Sequence, residues 1–441
     1  MDILNTVSLE SNKKIKINFD GGDLSSDAGL LLIKEFAAKI GLIRLVKSVF
    51  KTNDTAGFRH HTDADNLMQV IYQIIAAYFE DDCADELTHD PILTSILEKE
   101  GLASQPTLSR FWNRMDSQCI DQLNQIEEKM RGIIYSIKHP EFMLFDLDST
   151  LLSTYGHQEG EGFNFHYQAH GYHPLLCFDG LTGDLLKAEL REGTKYCSKD
   201  ADLFMEPLLK EYRAKYPSLP LYLRGDSGFA SPSLYDTCEE NDCKYAIRLK
   251  ENSKLRELAR EGEDALIQTT KNNQVDYAVV YGEFMYQAGS WPHPRRVVFK
   301  IEKPAGQMVH MYTFVVTTME MRPDQVIQFY CGRGKMENFI KEGKSGFDFS
   351  SVSSKSMTVN ANRLLVHALA YNLFNWFRRL VLPGKMRTQR IDTIRLKLLK
   401  IAARVIHSAR YITFKLCSSC AYKEEFYITL SNIWQLKPQL E

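Results

Sequence analysis

The stretch YCGRGKMENFIKEGK, residues 330–344, decides how the rest of the chain is read. It begins inside RPDQVIQFYCGRGKMENFIKE, residues 322–342, which reads as one helix. Tyr330, Arg333, Glu337 and Lys344 follow one another at steps of three, four and seven residues. At about 100° per residue those steps return all four to one face, within roughly 60° of each other. That face then holds a carboxylate, two cations and a phenol. The carboxylate can hold a metal ion and the cations a phosphate, so the set suits a metal-held phosphodiester. A solvated face with an i,i+4 Arg–Glu pair has the same pattern. Gly332, Gly334 and Gly343 weaken the helix, each by about 1 kcal/mol in a helix interior.

Two upstream motifs add to this one. Asp148 closes the apolar strand EFMLFDLDST, and Asp226 closes LPLYLRGDSGF. Acids at the ends of two strands, with a third on a later helix, are how distant carboxylates meet around metal ions. In these motifs the chain resembles the DDE transposases of bacterial insertion sequences, which have a ribonuclease-H-like catalytic core. Within them it is similar to the group whose third acid lies in a Tyr-x2-Arg-x3-Glu-x6-Lys signature, and the resemblance covers most of the chain.

The resemblance implies an α/β fold: a ribonuclease-H-like mixed sheet flanked by helices, with a β-rich insertion, an all-α N-terminal domain and a basic C-terminal segment. It implies Asp148, Asp226 and Glu337 as catalytic acids and metal ligands. Asp148 is preferred because the family's first acid precedes a small residue and Thr, here Ser149-Thr150. Asp146, two residues earlier on the same strand face, stays open as the alternative ligand. The implied cofactor is Mg2+, a hard ion suited to carboxylate oxygens, with Mn2+ as substitute. Tyr330, Arg333 and Lys344 would touch phosphates beside the cut, Arg333 bidentately and Lys344 as a point charge.

Composition bounds these expectations. With 441 residues, two to four structural units are expected. Hydrophobic content of 44% and charged content of 25% are those of a globular protein. Net charge is −2, so any nucleic-acid surface has to be local. From Arg378 to Lys415 there are 11 Lys or Arg against one acid, Asp392, a candidate phosphate-facing surface. The nine Cys are scattered, which fits free thiols in a reducing cytoplasm. Cys417-x-x-Cys420 has no second ligand pair beside it to complete a zinc site. No signal peptide and no apolar run of about 18 residues is present, so no membrane partner is expected.

In chain order, residues 1–138 read as a helical DNA-binding domain. Helices are expected from about Ser26, over 64–80, through DELTHDPILTSILEKEG, and over 102–116, where Pro106 suits a helix start. Arg110 and Arg114 on the polar face of the last would contact DNA if this is a helix-turn-helix; an ordinary helical hairpin reads the same way. Residues 139–250 are the first part of the core. Its strands include a hairpin turning at Asp179-Gly180. His166, His170 and His173 have ligand-like spacing on a Gly-rich turn. Residues 251–321 read as the β insertion. Its tip AGSWPHPRR offers Trp291 for stacking on a base flipped from the DNA end, with Arg295 and Arg296 beside it. Residues 322–382 complete the core, and 383–441 are the basic segment.

The function implied is a transposase that cuts the ends of its element and joins the 3′-OH ends to target DNA. Its partners would be the terminal inverted repeats and target DNA, bound as a dimer near the nucleoid. A ribonuclease-H-like nuclease without strand transfer, or a DNA-binding regulator with an inactive site, are the alternatives.

Overall fold

The computed structural model describes residues 6–273, 275–307 and 309–440. The first five residues, and Gln274 at the head of the expected strand QVDYAVVYGEFMYQA, lie outside the described residues. The chain divides into two compact units. One takes Met1–Ile137, Gly346–Asp348 and Leu369–Glu441; the other takes Lys138–Ser345 and Phe349–Ala368.

The second unit is built on an eight-stranded sheet. Its strands are β1 (Met143–Ser149), β2 (Leu175–Asp179), β3 (Leu185–Glu189), β4 (Leu221–Gly225), β5 (Cys243–Leu249), β6 (Ala278–Tyr286), β7 (Arg295–Lys303) and β8 (Met311–Thr317). Their spatial order is β6-β7-β8-β5-β4-β1-β2-β3. β1, β4 and β5 run parallel, and β2 and β3 form an antiparallel hairpin beside β1. β1 is buried from Met143 through Leu147, as a central strand covered on both faces should be. Two helices, α1 (Ala201–Lys215) and α2 (Pro232–Glu240), make the crossovers from β3 to β4 and from β4 to β5. The Gly- and His-rich stretch is a small separate sheet of Leu152–Ser153, Gly162–Asn164 and Ala169–Tyr172.

The expected insertion differs in two ways. Its strands do not form a body of their own: β8 pairs antiparallel with β5, so β6–β8 extend the same sheet. Before them come helices Ser253–Leu258 and Arg260–Asn273, at the head of the span 251–321 expected as the β insertion. In the longer helix Leu266 is the buried apolar residue, so no apolar stripe marks it in the sequence.

The helix expected over 322–342 is two helices, α3 (Pro323–Cys331) and α4 (Lys335–Phe347), joined by a tight turn of 3-10 helix at Gly332–Gly334. Val326 and Ile327 of α3 pack onto Ala246, Val298, Val315 and Met319, with Tyr222, Phe329 and Tyr330 at the margin. On α4, Phe339 packs against Phe178 of β2, with ring centroids 5.9 Å apart. The next helix, α5 (Met357–Val381), contributes its first residues to this unit and those from Leu369 to the other.

The first unit is mainly helical but not all-α. Gly41, at φ 79°, splits the first expected helix into Leu30–Lys39 and Leu42–Val49. A capping box of Thr62 and Asp65 opens Asp63–Ile75. Gln105–Asn113 carries Pro106 in its first turn, and Ser117–Ile137 follows. The C-terminal segment returns to this unit. Leu24–Ser25 pairs with Ala403–Arg404, and the hairpin Ala403–His407/Ile412–Leu416 completes a three-stranded sheet. No helix among the described residues is long and apolar enough to cross a membrane.

Candidate active site

The parallel register of β1 and β4 sets the first two acids. Asp146 lies opposite Arg224 and Leu147 opposite Gly225. One residue further along each strand, Asp148 and Asp226 come to the same end of the sheet. Asp226 itself has left the strand to cap the turn Ser227–Phe229, its Oδ1 accepting from the Gly228 amide at 2.8 Å.

The turn between α3 and α4 faces this strand end. Arg333 Nη2 lies 2.9 Å from Asp148 Oδ2 and donates to the Leu147 carbonyl at 3.2 Å. Further along α4, Lys344 Nζ donates to the Leu151 carbonyl at 2.6 Å. The two cations therefore brace the chain on either side of Ser149-Thr150. Glu337, exposed in the first turn of α4, lies close enough for its charge to act on Asp148.

The electrostatics follow from that crowding. Burial pushes the Asp148 carboxyl up, Arg333 and the Ser149 amide pull it down, and the charges of Asp226 and Glu337 push it up again; the net direction is upward. Burial opposes the charge on Arg333, but Asp148 and Asp226 outweigh it and hold the guanidinium more firmly protonated. Burial pushes the Tyr330 phenol up, with Arg333 and Arg248 opposing and Asp226 reinforcing. Tyr330, Arg333, Glu337 and the two Asp thus share one electrostatic neighbourhood. Burial pulls the Lys344 ammonium below its ordinary value.

Whether a divalent ion fits is a question of donors and geometry. The donors are all carboxylate oxygens, suited to Mg2+ or Mn2+. Among the described residues no three such side chains are drawn into a ready-made metal cage. Asp148 is instead neutralised by Arg333, which serves as the local counter-charge. The Nε of Arg333 is buried without an acceptor. A buried donor left unpaired is costly, and an incoming phosphate oxygen would satisfy it. The donor set and this orphaned N–H fit a divalent ion and a phosphate oxygen.

Asp146, the alternative ligand, has another role. Both its oxygens accept from Arg224, Oδ1 from Nε at 2.6 Å and Oδ2 from Nη2 at 2.7 Å, and its side chain is 0% exposed. The strand alternation that puts it on the face of Asp148 could not reveal this partner.

Several other expected contacts are placed differently. Trp291 is 7% exposed; it makes T-shaped contacts with Tyr235 and Tyr286 at 5.4 and 5.3 Å and Arg295 lies over its ring at 5.7 Å, so it is packed in the protein and not open to a base. Arg295 pairs with Asp236 and with Glu239 at 2.8 Å. Arg296 pairs with Glu283 and donates to the carbonyls of Met319 and Met321. Arg114 pairs with Asp63 at 3.1 Å and with Asp54 at 3.6 Å, an internal brace rather than a free cation. Arg110 is exposed. The three His do not converge as ligands: His170 Nδ1 lies 2.9 Å from Glu161, and His173 Nδ1 lies 2.7 Å from the Lys195 carbonyl. Cys417 and Cys420 are free thiols.

No curated protein matches the sequence. Among solved structures, the piggyBac transposase synaptic complex with hairpin DNA aligns over 85% of this chain and 80% of its own, at 13% identity and TM-score 0.46. The Mos1 transposase paired-end complex with left transposon end aligns over 51% and 68%, at 12% identity and TM-score 0.18. The family model described as transposase DDE domain group 1 matches residues 7–438, and over that span the chain belongs to the DDE transposase family.

Proposed function

We propose that the chain is a DNA transposase that cuts the ends of its element and joins the freed 3′-OH ends to target DNA. The observation that carries this reading is Arg333 seated on Asp148 at the end of β1, with the charges of Asp226 and Glu337 reaching the same carboxyl. The strand order β3-β2-β1-β4-β5, with β2 antiparallel to the rest, supports a ribonuclease-H-like core. In that core the first acid sits on the central strand and the second just after its parallel neighbour.

Asp148, Asp226 and Glu337 would hold a pair of Mg2+ ions, or Mn2+ in their place, which supply Lewis acidity at the scissile phosphodiester. The chain's own cations do the rest. Arg333 exchanges its contact with Asp148 for a phosphate oxygen, where its fork and unpaired Nε give bidentate grip. Lys344, desolvated and close behind β1, adds a point charge to the same phosphate track. Tyr330 sits half-buried at the margin of the α3 packing cluster, so its phenol is fixed before DNA arrives. Arg110, exposed on Gln105–Asn113, is the N-terminal unit's candidate contact to the terminal repeats. Joining two ends in one event calls for a dimer on DNA.

The test is direct. The purified chain is incubated with a plasmid carrying the DNA that borders its gene, with and without Mg2+ or Mn2+, and the ends are mapped. Metal-dependent cutting followed by joined strands supports the reading. Cleaved ends that never join make it a nuclease. A chain that binds this DNA without cutting it, and is indistinguishable from its Asp226→Asn variant, leaves only DNA binding.

A further inference from the structure

A buried ion pair lies directly behind the candidate acids. Arg224 makes three charge-assisted hydrogen bonds: two to Asp146 on β1, and one from Nη1 to the Phe329 carbonyl at the end of α3, at 2.7 Å. Its guanidinium also lies over the Phe329 ring, 5.2 Å from the centroid. Neither partner is open to water, Arg224 being 4% and Asp146 0% exposed.

The position of this pair matters more than its strength. Asp148 follows Asp146 by two residues, and Asp226 follows Arg224 by two. The Asp146–Arg224 fork therefore fixes the spacing of β1 and β4 one pleat before the two acids. Through the Phe329 carbonyl the same guanidinium ends α3, as a cation at a helix C-terminus does. That is where the chain turns through Gly332–Gly334 to deliver Arg333 and Glu337.

Two glycines from separate elements leave room for it. A Cβ at Gly180, in the β2–β3 turn, would meet Asp146 Oδ2 at 2.4 Å and Arg224 Nη2 at 2.7 Å. A Cβ at Gly332 would meet Arg224 Nη1 at 2.7 Å.

We propose that Arg224 is a positioning residue, which through Asp146 and the Phe329 carbonyl sets the mutual placement of Asp148, Asp226 and the turn that carries Arg333 and Glu337. A buried ion pair is a weak source of stability, since apolar residues of similar volume often replace both partners without loss. Its use here is geometric: the fork is planar and its acceptors lie on different elements, so an apolar replacement fills the space without specifying the angle. The inference rests on the transposase reading for its function, but not for its geometry.

The experiment compares wild type, Arg224→Met, Asp146→Leu, the double variant and Arg224→Lys. The melting temperature reports folding. Binding of Mn2+, followed by the electron paramagnetic resonance signal of the free ion, reports the acids without any reaction. Single-turnover cutting of a duplex from the DNA bordering the gene, with its affinity measured separately, reports the chemistry. Each single apolar variant should melt lower, because it leaves a buried charge unpaired. The double variant should recover the melting temperature, yet bind Mn2+ about tenfold more weakly. It should cut roughly a hundredfold more slowly at unchanged DNA affinity, the loss expected of about 1 Å of misplacement. Arg224→Lys should fall between, since an ammonium cannot reproduce the fork.

A double variant equal to wild type in both metal binding and cutting overturns the proposal and leaves the pair merely structural. A wild-type chain that binds Mn2+ but does not cut counts against the transposase reading, while the metal affinities still decide the role of Arg224. A wild-type chain that does neither overturns both.

Discussion

Among single residues, the acids and the aromatic candidate were unequally legible, for a physical reason. A carboxylate at a strand end announces itself by breaking an apolar run, as Asp148 does in MLFDLDS. What it touches is not local: Arg224 and Arg333 reach it and its neighbour from far along the chain. Asp148 also carries a strain that the metal-free protein can report. Its folded pKa is raised, burial being the largest cause. A raised carboxyl contributes no penalty below its unfolded value, and the whole penalty once pH exceeds its folded value. Asp148→Asn also strips Arg333 of its counter-charge, so the diagnostic is the trend: the melting temperature of the metal-free variant relative to wild type should climb as pH rises from the ordinary carboxylate range toward 7. A gain that grows on acidification would contradict the assignment. Trp291 gives the opposite lesson, because a Trp near the tip of a hairpin looks available in sequence whether it packs inward or not. With its ring in T-shaped contact with Tyr235 and Tyr286, Trp291→Ala should cost about 3–5 kcal/mol in urea unfolding. A base-stacking Trp would instead lose DNA affinity with stability intact.

At the scale of elements, β1 to β4 are where the apolar runs and the Asp179-Gly180 turn put them, because each is long enough to bury its own pattern. Pairing partners are not encoded that way. The strands β6–β8 read correctly as strands, yet nothing in their residues says that β8 docks on β5. The break between α3 and α4 is half legible. Glycines at 332 and 334 weaken a helix, but they do not tell which is needed. The structure separates them: an added Cβ at Gly332 would strike Arg224, and one at Gly334 meets nothing within 4 Å. Gly332→Ala should therefore destabilise by about 1–3 kcal/mol through overpacking, whereas Gly334→Ala should be neutral or stabilising by up to about 1 kcal/mol. Thermal unfolding of the two variants side by side distinguishes this from a simple propensity effect, which would move both the same way.

For the whole molecule, the basic run from Arg378 to Lys415 looks in sequence like a surface for phosphates, and the structure puts part of it on the surface. Arg404, Arg410 and Lys415 are exposed on and beside the hairpin Ala403–His407/Ile412–Leu416. Other cations of the run are internal ties within the mainly helical unit. Lys400 lies 2.7 Å from Asp27. Arg395 is 5% exposed and donates to the carbonyls of Ile74, Ile75 and Gly346, with Asp392 at 3.0 Å as its carboxylate. Its guanidinium also lies over the rings of Phe79 and Phe347. One side chain from near the C-terminus thus closes the end of the helix Asp63–Ile75, donating to the Ile75 carbonyl past its last turn and joining the Ala77 amide on that of Ile74. Charge counting cannot separate these two uses, because a guanidinium is equally basic in both; only the acceptors differ. Arg395→Ala should remove a donor from three buried carbonyls, of which Ile74 keeps the Ala77 amide, and destabilise by about 3–5 kcal/mol. The loss should appear as faster amide hydrogen exchange in Asp63–Ile75, while Arg404→Ala or Lys415→Ala should leave exchange unchanged and weaken DNA binding mainly at low salt. If Arg395→Ala instead preserved exchange and lowered only DNA affinity, Arg395 would be a phosphate contact, and the C-terminal return to this unit would rest on the strand pairing of Leu24–Ser25 with Ala403–Arg404.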